Sequence, residues 1–386
     1  MPKINMLIDM KPKRIRRTTA LAAALLTTLI YAVPCQSQSS AAAAQKTKSQ
    51  GLWVINFNFL DEFQGESLKK SGEPRETFGL TSADGSSSIP NLTFDHAGNL
   101  WVIFGTGVGE LTRNELSTSK RLFRFHVQLS FVATGAADPY IFPSTLAFDP
   151  AGNLWLAGIA PQSTLIEFTP DQWATSGNPT PASTINFPGD SGIGSRSILF
   201  DSAGDLWLAI QYSASDNSVA VNEYTPAQIA EMQMGASPTP TLTVKAGPGS
   251  SGLSAIAFDK SGNLWIAVPT PESGANLVYG GLLEKFNVAG KTGTLSQPDI
   301  VISPARISSA NQSMDRPNGL AFDGQGGLWV SSDISSGRYD TGFIVRYAPN
   351  QLTTSGSPVP PIVLRPNRKG SNLDYPAPIV FGPTVK

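Results

Sequence analysis

The side chains best suited to bind a ligand gather in three Ser- and Gly-rich segments, QYSASDNS from Gln211, PTPESGANLVYGG from Pro269 and SDISSGRYDTG from Ser332. They carry Tyr212, Asp216, Asn217, Glu272, Asn276, Tyr279, Arg338, Tyr339 and Asp340. A mixture of Tyr, Asn, Asp and Arg suits a polar or peptide-like ligand, because rigid aromatic area is combined with directional hydrogen bonding. Arg196, Arg316 and Arg338 could each grip a carboxylate or sulfate through the bidentate guanidinium fork. Reactive constellations are scarcer. The chain has two histidines, His96 and His126, and one cysteine, Cys35, so neither a zinc-type Cys/His spacing nor an intrachain disulfide is available. No phosphate-binding glycine loop and no serine nucleophile elbow occurs, and GTGVG at Gly105 to Gly109 reads as a loop between two strands.

These residues need a scaffold, and a phrase that returns five times describes it. LTFDHAGNLW ends at Trp101, LAFDPAGNLW at Trp155, ILFDSAGDLW at Trp207, IAFDKSGNLW at Trp265 and LAFDGQGGLW at Trp329. The copies stand 54, 52, 58 and 64 residues apart, the signature of a repeated supersecondary unit. Alternation such as Leu146 and Phe148 before the turn, and Leu154 and Leu156 after it, predicts a hairpin of half-buried strands. Within the turn, the Asp (Asp95, Asp149, Asp201, Asp259, Asp323) is expected to accept a backbone N–H two residues on. The Gly three residues after it is expected at positive φ. Each Asp is therefore assigned to turn scaffolding and not to catalysis.

A second recurring unit follows each hairpin: LIEFTPDQW from Leu165, AVNEYTPAQI from Ala220 and VRYAPNQL from Val345, with looser copies GELTRNEL from Gly109 and LLEKFNV from Leu282. A β-rich run meets Pro at the first position of one helical turn, and a Ser/Gly/Pro stretch then leads to a fourth apolar run. Four strands per unit of about fifty residues predict an all-β fold, a β-propeller with four-stranded antiparallel blades. Trp53 lies in a second strand without its first, and Pro376 to Phe381 form a first strand without its second. Joined, they give six blades, with the C-terminal strand closing the first. The six repeat Trp residues are expected between blades, and Trp173, outside the pattern, at a blade edge or exposed.

The chain divides into a signal peptide over 1–35, a flexible linker over 36–50 and the propeller over 51–386. A basic stretch to Arg17 precedes an apolar run from Thr18 to Val33, the layout of a secretory leader, which predicts periplasmic or extracellular localisation and no transmembrane segment in the mature chain. Cleavage is expected near the Ala41 to Ala44 run, and the alternative is lipid attachment at Cys35, against which Pro34 directly before it counts. Without the six basic residues and Asp9 of the leader, 22 basic and 28 acidic residues remain, a net charge of −6 that offers no basic patch to nucleic acid. A monomer is expected.

The repeat FDxxGNLW followed by an apolar residue and Ala resembles the NHL repeat and the related six-bladed propellers of the SMP-30/gluconolactonase and virginiamycin B lyase type, over Gly51 to Lys386. That resemblance implies a site on the face opposite the FDxxGNLW turns. Counting four back from each repeat Phe gives the ring Pro90, Ser144, Arg196, Ser254, Asn318 and Ala377. Lactonase-like members hold a divalent cation there with Glu, Asn and Asp, and of these only Asn318 has a counterpart, with Asp315 and Asp333 near it as further oxygens. Lyase chemistry would need a channel base. His96 lies in a turn on the other face and His126 is assigned to an outer strand, so neither serves. The functional expectation is a binding scaffold without a cofactor, recognising a polar small molecule, glycan or protein through Arg196, Asn318, Arg316, Asp315, Asp333, Arg338, Tyr339 and Tyr212. The alternative is a metal-dependent lactonase or hydrolase that would use Ca²⁺ at Asn318.

Overall fold

The computed structural model describes residues 50–384 except 57–58, 70–75, 80–90, 106, 119–124, 132–141, 160–162, 188–196, 212–218, 247–254, 270–280, 304–315, 334–341 and 366–375. The leader and the linker as far as residue 49, Cys35 among them, lie outside the described residues; among the described residues no helix is long and apolar enough to cross a membrane.

The described strands form six sheets. Blade one joins Pro376–Pro383 to Gln50–Asn56, Phe59–Phe63 and Glu76–Gly79; blade two holds Leu92–Phe94, Leu100–Phe104, Gly107–Leu111 and Val127–Ser130. Blade three holds Phe142–Phe148, Leu154–Ile159, Ser163–Phe168 and Ser183–Asn186; blade four holds Ile198–Phe200, Leu206–Gln211, Val219–Tyr224 and Leu242–Lys245. Blade five holds Ala255–Phe258, Leu264–Pro269, Gly281–Phe286 and Ile300–Ile302; blade six holds Arg316–Phe322, Leu328–Asp333, Phe343–Tyr347 and Ile362–Leu364. Closure is as the chain ends predict: Trp53 pairs with Val380 and Leu52 with Phe381 across an antiparallel ladder. His126 stands one residue ahead of the outer strand of blade two, not within it, and Gly107 and Gly109 belong to a strand rather than a loop.

Each repeat Trp is buried and meets the Phe of the next blade, with ring centroids 5.2 to 6.0 Å apart: Trp53 with Phe94, Trp101 with Phe148, Trp155 with Phe200, Trp207 with Phe258, Trp265 with Phe322. Trp329 with Phe381 completes the circle, so the six contacts form a closed ring. Mostly edge-on aromatic pairs of this kind add to the apolar area they bury. Trp173 is no exposed ornament. It packs 5.3 Å from Trp101 and 5.8 Å from Phe148, and its indole donates to the Gly152 carbonyl.

The turn Asp does more than its sequence position predicts. Its Oδ1 accepts the backbone N–H four residues on in all five turns, and the one two residues on in the turns of Asp201, Asp259 and Asp323. Its Oδ2 accepts the indole N–H of the Trp six residues on, at 2.9 to 3.2 Å. The carboxylate thus locks the hairpin and satisfies a buried donor at once. Blade one has Gly382 where the others have Asp, and there the Trp53 indole donates to the Pro383 carbonyl instead. All five turn glycines have φ between 76° and 86°. Gly152→Val should therefore lower stability by about 1–3 kcal/mol through left-handed strain, since the added side chain meets only an ordinary contact with Pro170. An unchanged midpoint in urea would show that the turn relaxes.

Below the third strands, a glutamine clamp recurs. Gln172, Gln228 and Gln351 each accept the backbone N–H three residues earlier at 2.9 Å, and donate Nε2 at 2.7 Å to Thr180, Thr239 and Val359 carbonyls respectively. One side chain therefore ties the helical turn to the Pro-rich stretch that follows. Segments of one blade also extend the outer edge of the preceding blade. Gly177 bridges Leu129 in parallel, Gly293–Leu295 pairs with Leu242–Val244, and Gly356 bridges Ile302. Such covering strands blunt edges that would otherwise pair with other chains.

Candidate functional site

Each innermost strand runs from the face opposite the turns toward the FDxxG turn, so position along it sets depth in the central channel. The strands enclose a cavity of about 410 Å³, within the usual range for a small-molecule pocket. Three residues before the repeat Phe stand Asn91, Thr145 and Ser197, which with Asn318 make the end away from the turns polar. Leu92, Leu146, Ile198, Ile256, Leu320 and Ile379 form an aliphatic belt one step deeper, and Phe200, Phe258, Phe322 and Phe381 line the turn end. No described lining residue is ionisable.

The polar end is partly prearranged. Asn91 Nδ2 donates to Thr145 Oγ1 of the next blade at 3.0 Å, while its Oδ1 accepts the Leu92 N–H at 2.8 Å. Asn318 is half-buried at a bulge where the ladder of blade six shifts between Pro317 and Gly319. A matching shift in blade three falls between Pro143 and Thr145, and there the Ser144 hydroxyl turns to the Ala157 carbonyl. The expected ring is corrected accordingly. Thr145 and not Ser144 lines the cavity in blade three, and Pro378 lines it in blade one. An extra residue on one strand exchanges which side chain faces inward, and spacing from the Phe does not register it.

Of the predicted site residues, Asn318 lies in the cavity, and Arg316 and Asp333 face each other as backbone partners at the top of blade six. Asp315, Arg338, Tyr339, Tyr212 and Arg196 fall outside the described residues, as do Pro90 and Ser254. For a divalent cation at Asn318, the described lining residues offer amide, hydroxyl and backbone oxygens and no carboxylate, whereas a hard cation bound by protein usually draws on carboxylates.

A row of ionisable groups sits at the turn end, on the third strands. Facing the Trp across the ladder are Glu62, Glu110, Glu167, Glu223, Lys285 and Arg346, from blade one to blade six. In blade six, Arg346 Nε donates to Asp323 Oδ2 at 2.6 Å. Burial pushes the Asp323 carboxyl up, but hydrogen bonds from Arg346, Trp329 and Gly327 outweigh it and hold the group below its ordinary value. In blade five, Lys285 Nζ lies 3.8 Å from Asp259. Blade four has no such cation. There Asp205 replaces the usual Asn, and carboxylate oxygens of Asp201, Asp205 and Glu223 all lie within 4.8 Å of one another. Burial, then Asp205 and Asp201, push the Glu223 carboxyl up to about 7.

A group whose folded value is raised takes up its proton with folding, so the stability it lends, fully present below the unfolded value, is lost as pH rises from there through the folded value. The protein should therefore be less stable at pH 8 than at pH 6, with Glu223 contributing about 1–2 kcal/mol after solvent screening is allowed for. Thermal melts at the two pH values check this. Glu223→Gln should flatten the difference, and an unchanged pH slope in that variant would remove Glu223 from the account.

Fold and cavity together define the class: a six-bladed β-propeller with an axial pocket. Among solved structures, the chain is similar to a protein of unknown function from Bacteroides caccae, at 14% identity and TM-score 0.54, over 87% of this chain and 100% of that one. It also matches the extracellular domain of a protein described as a one-component system of B. thetaiotaomicron, at 13% identity and TM-score 0.43, over 80% of this chain and 41% of that one. The first likeness extends to the fold alone. No protein-family profile matches the chain, and no curated protein is similar to it in sequence.

Proposed function

We infer that the chain is an exported binding propeller that takes a small, uncharged polar ligand, such as a neutral sugar or the end of a glycan, into the axial cavity from the face opposite the turns. One observation carries this reading: the cavity is polar at that end, through Asn91, Thr145, Ser197 and Asn318, and apolar toward the turns. Amide and hydroxyl groups match sugar hydroxyls, and the described lining residues carry no charge. The leader of basic then apolar residues supports export, and the FDxxGNLW repeat supports kinship with NHL and SMP-30/gluconolactonase type propellers.

A thermal-shift panel of neutral mono- and disaccharides tests it. A binding sugar should raise the melting temperature of the wild type by mass action. Asn318→Ala should leave the ligand-free melt nearly unchanged and weaken that sugar about two- to tenfold, the effect of one lost hydrogen bond. Equal affinity in the variant would take Asn318 out of the site.

A further inference from the structure

At the outer end of blade six, Arg365 has no acceptor for two of its guanidinium nitrogens. Nε and Nη2 are both shielded from solvent and make no hydrogen bond. These two nitrogens form one edge of the planar fork, the edge that meets both oxygens of a carboxylate, or two of a sulfate or phosphate, in parallel N–H···O bonds. A guanidinium keeps its charge in proteins, so a buried edge without an acceptor is costly and calls for an anion.

The surroundings fit that role. Leu364 pairs with Ile344, so Arg365, one residue on, stands beside Phe343, and its Cζ lies 5.5 Å from the centroid of that ring. Phe343 is fully buried and holds the flat guanidinium from one side. Burial pulls the Arg365 group below its ordinary value, the direction expected of a cation held without its counter-charge. Phe343 pairs with Ser332 and Ser332 with Pro317, which places Arg365 three strand spacings, roughly 14 Å, from the inner strand. Arg365 as a residue is half-buried at the end of blade six away from the turns, while its Nε–Nη2 edge is shielded from solvent.

We propose that Arg365 is an oxyanion-binding residue at the rim of blade six, receiving the carboxylate, sulfate or phosphate group of a ligand on its Nε–Nη2 edge. This site stands apart from the axial cavity and does not depend on the sugar-binding reading.

Sodium sulfate, phosphate and acetate, each titrated against sodium chloride at constant ionic strength, test the proposal on the full mature protein by thermal shift and calorimetry. At least one oxyanion should bind the wild type saturably, and Arg365→Met should lose that response by tenfold or more. Arg365→Lys keeps the charge but not the fork, so it should also bind at least about tenfold more weakly. General stabilisation by excluded salts would move all three proteins alike. An equal response in wild type and both variants, or no saturable response in the wild type, overturns the proposal. The ranking of the three anions tells a planar carboxylate from a tetrahedral group. Binding of a neutral sugar should be the same in all three proteins, so failure here and failure of the cavity reading are separately visible.

Discussion

Removing Pro376–Lys386 should abolish cooperative unfolding and leave an aggregating protein. The lost strand pairs with Gln50–Asn56 along its length, covers Leu52 and Val54, and carries Phe381, the partner of Trp329 in the aromatic ring. It also supplies the Pro383 carbonyl that accepts the Trp53 indole. The deletion therefore opens an inner edge, uncovers apolar side chains and strands a buried donor, a combined loss comparable with the roughly 5–15 kcal/mol that holds a typical domain together. Size-exclusion chromatography and a thermal melt read the result. A monomer that melts within a few degrees of the full chain would mean that blade one is complete without its C-terminal strand. Phe381→Ala keeps the strand and removes only the ring contact, so it should melt cooperatively at a lower temperature.

Asp149→Ala should cost about 2–4 kcal/mol, more than an ordinary turn residue, because three donors lose their acceptor together. These are the Asn153 N–H and Asn153 Nδ2, both at 2.8 Å, and the Trp155 indole at 3.0 Å. Trp155 is nearly fully buried, so water does not readily replace the lost bond. Urea unfolding of the variant measures the cost. A loss below about 0.5 kcal/mol would reduce the Asp to a turn former, the role that its sequence position alone suggests.

That difference shows where sequence reading stopped. The FDxxGNLW spacing made the hairpins, the blade count and the closure legible, because period-two patterning and turn chemistry are local. The indole bond was not legible, since it depends on how the hairpin folds back on itself six residues later. The charged row facing the Trp was present in the quoted strings LIEFTP, VNEYTP, LLEKF and VRY, always one residue before an aromatic. Only the ladder register shows that Glu223 faces Trp207 and Arg346 faces Trp329. The Asp205 departure, GDLW for GNLW, was a visible signal for the acidic trio of blade four.

In the cavity, a count from the Phe found Asn318 but gave Ser144 for Thr145, because a bulge at Ser144 shifts which residue faces inward, and it did not single out Asn91 and Ser197, one position further along their strands. Arg365 had no sequence signal at all. Its significance rests on what does not meet its nitrogens, a property of the packed structure.

The most direct test of the cavity as the binding site is calorimetric titration of the best neutral sugar from the panel into the wild type and into Ser197→Trp, which fills the polar end of the cavity. The wild type should bind saturably at one to one and the variant not at all, with both proteins folded and neither hydrolysing simple lactones. Equal binding by both proteins, or divalent-ion-dependent lactone hydrolysis by the wild type, would contradict it.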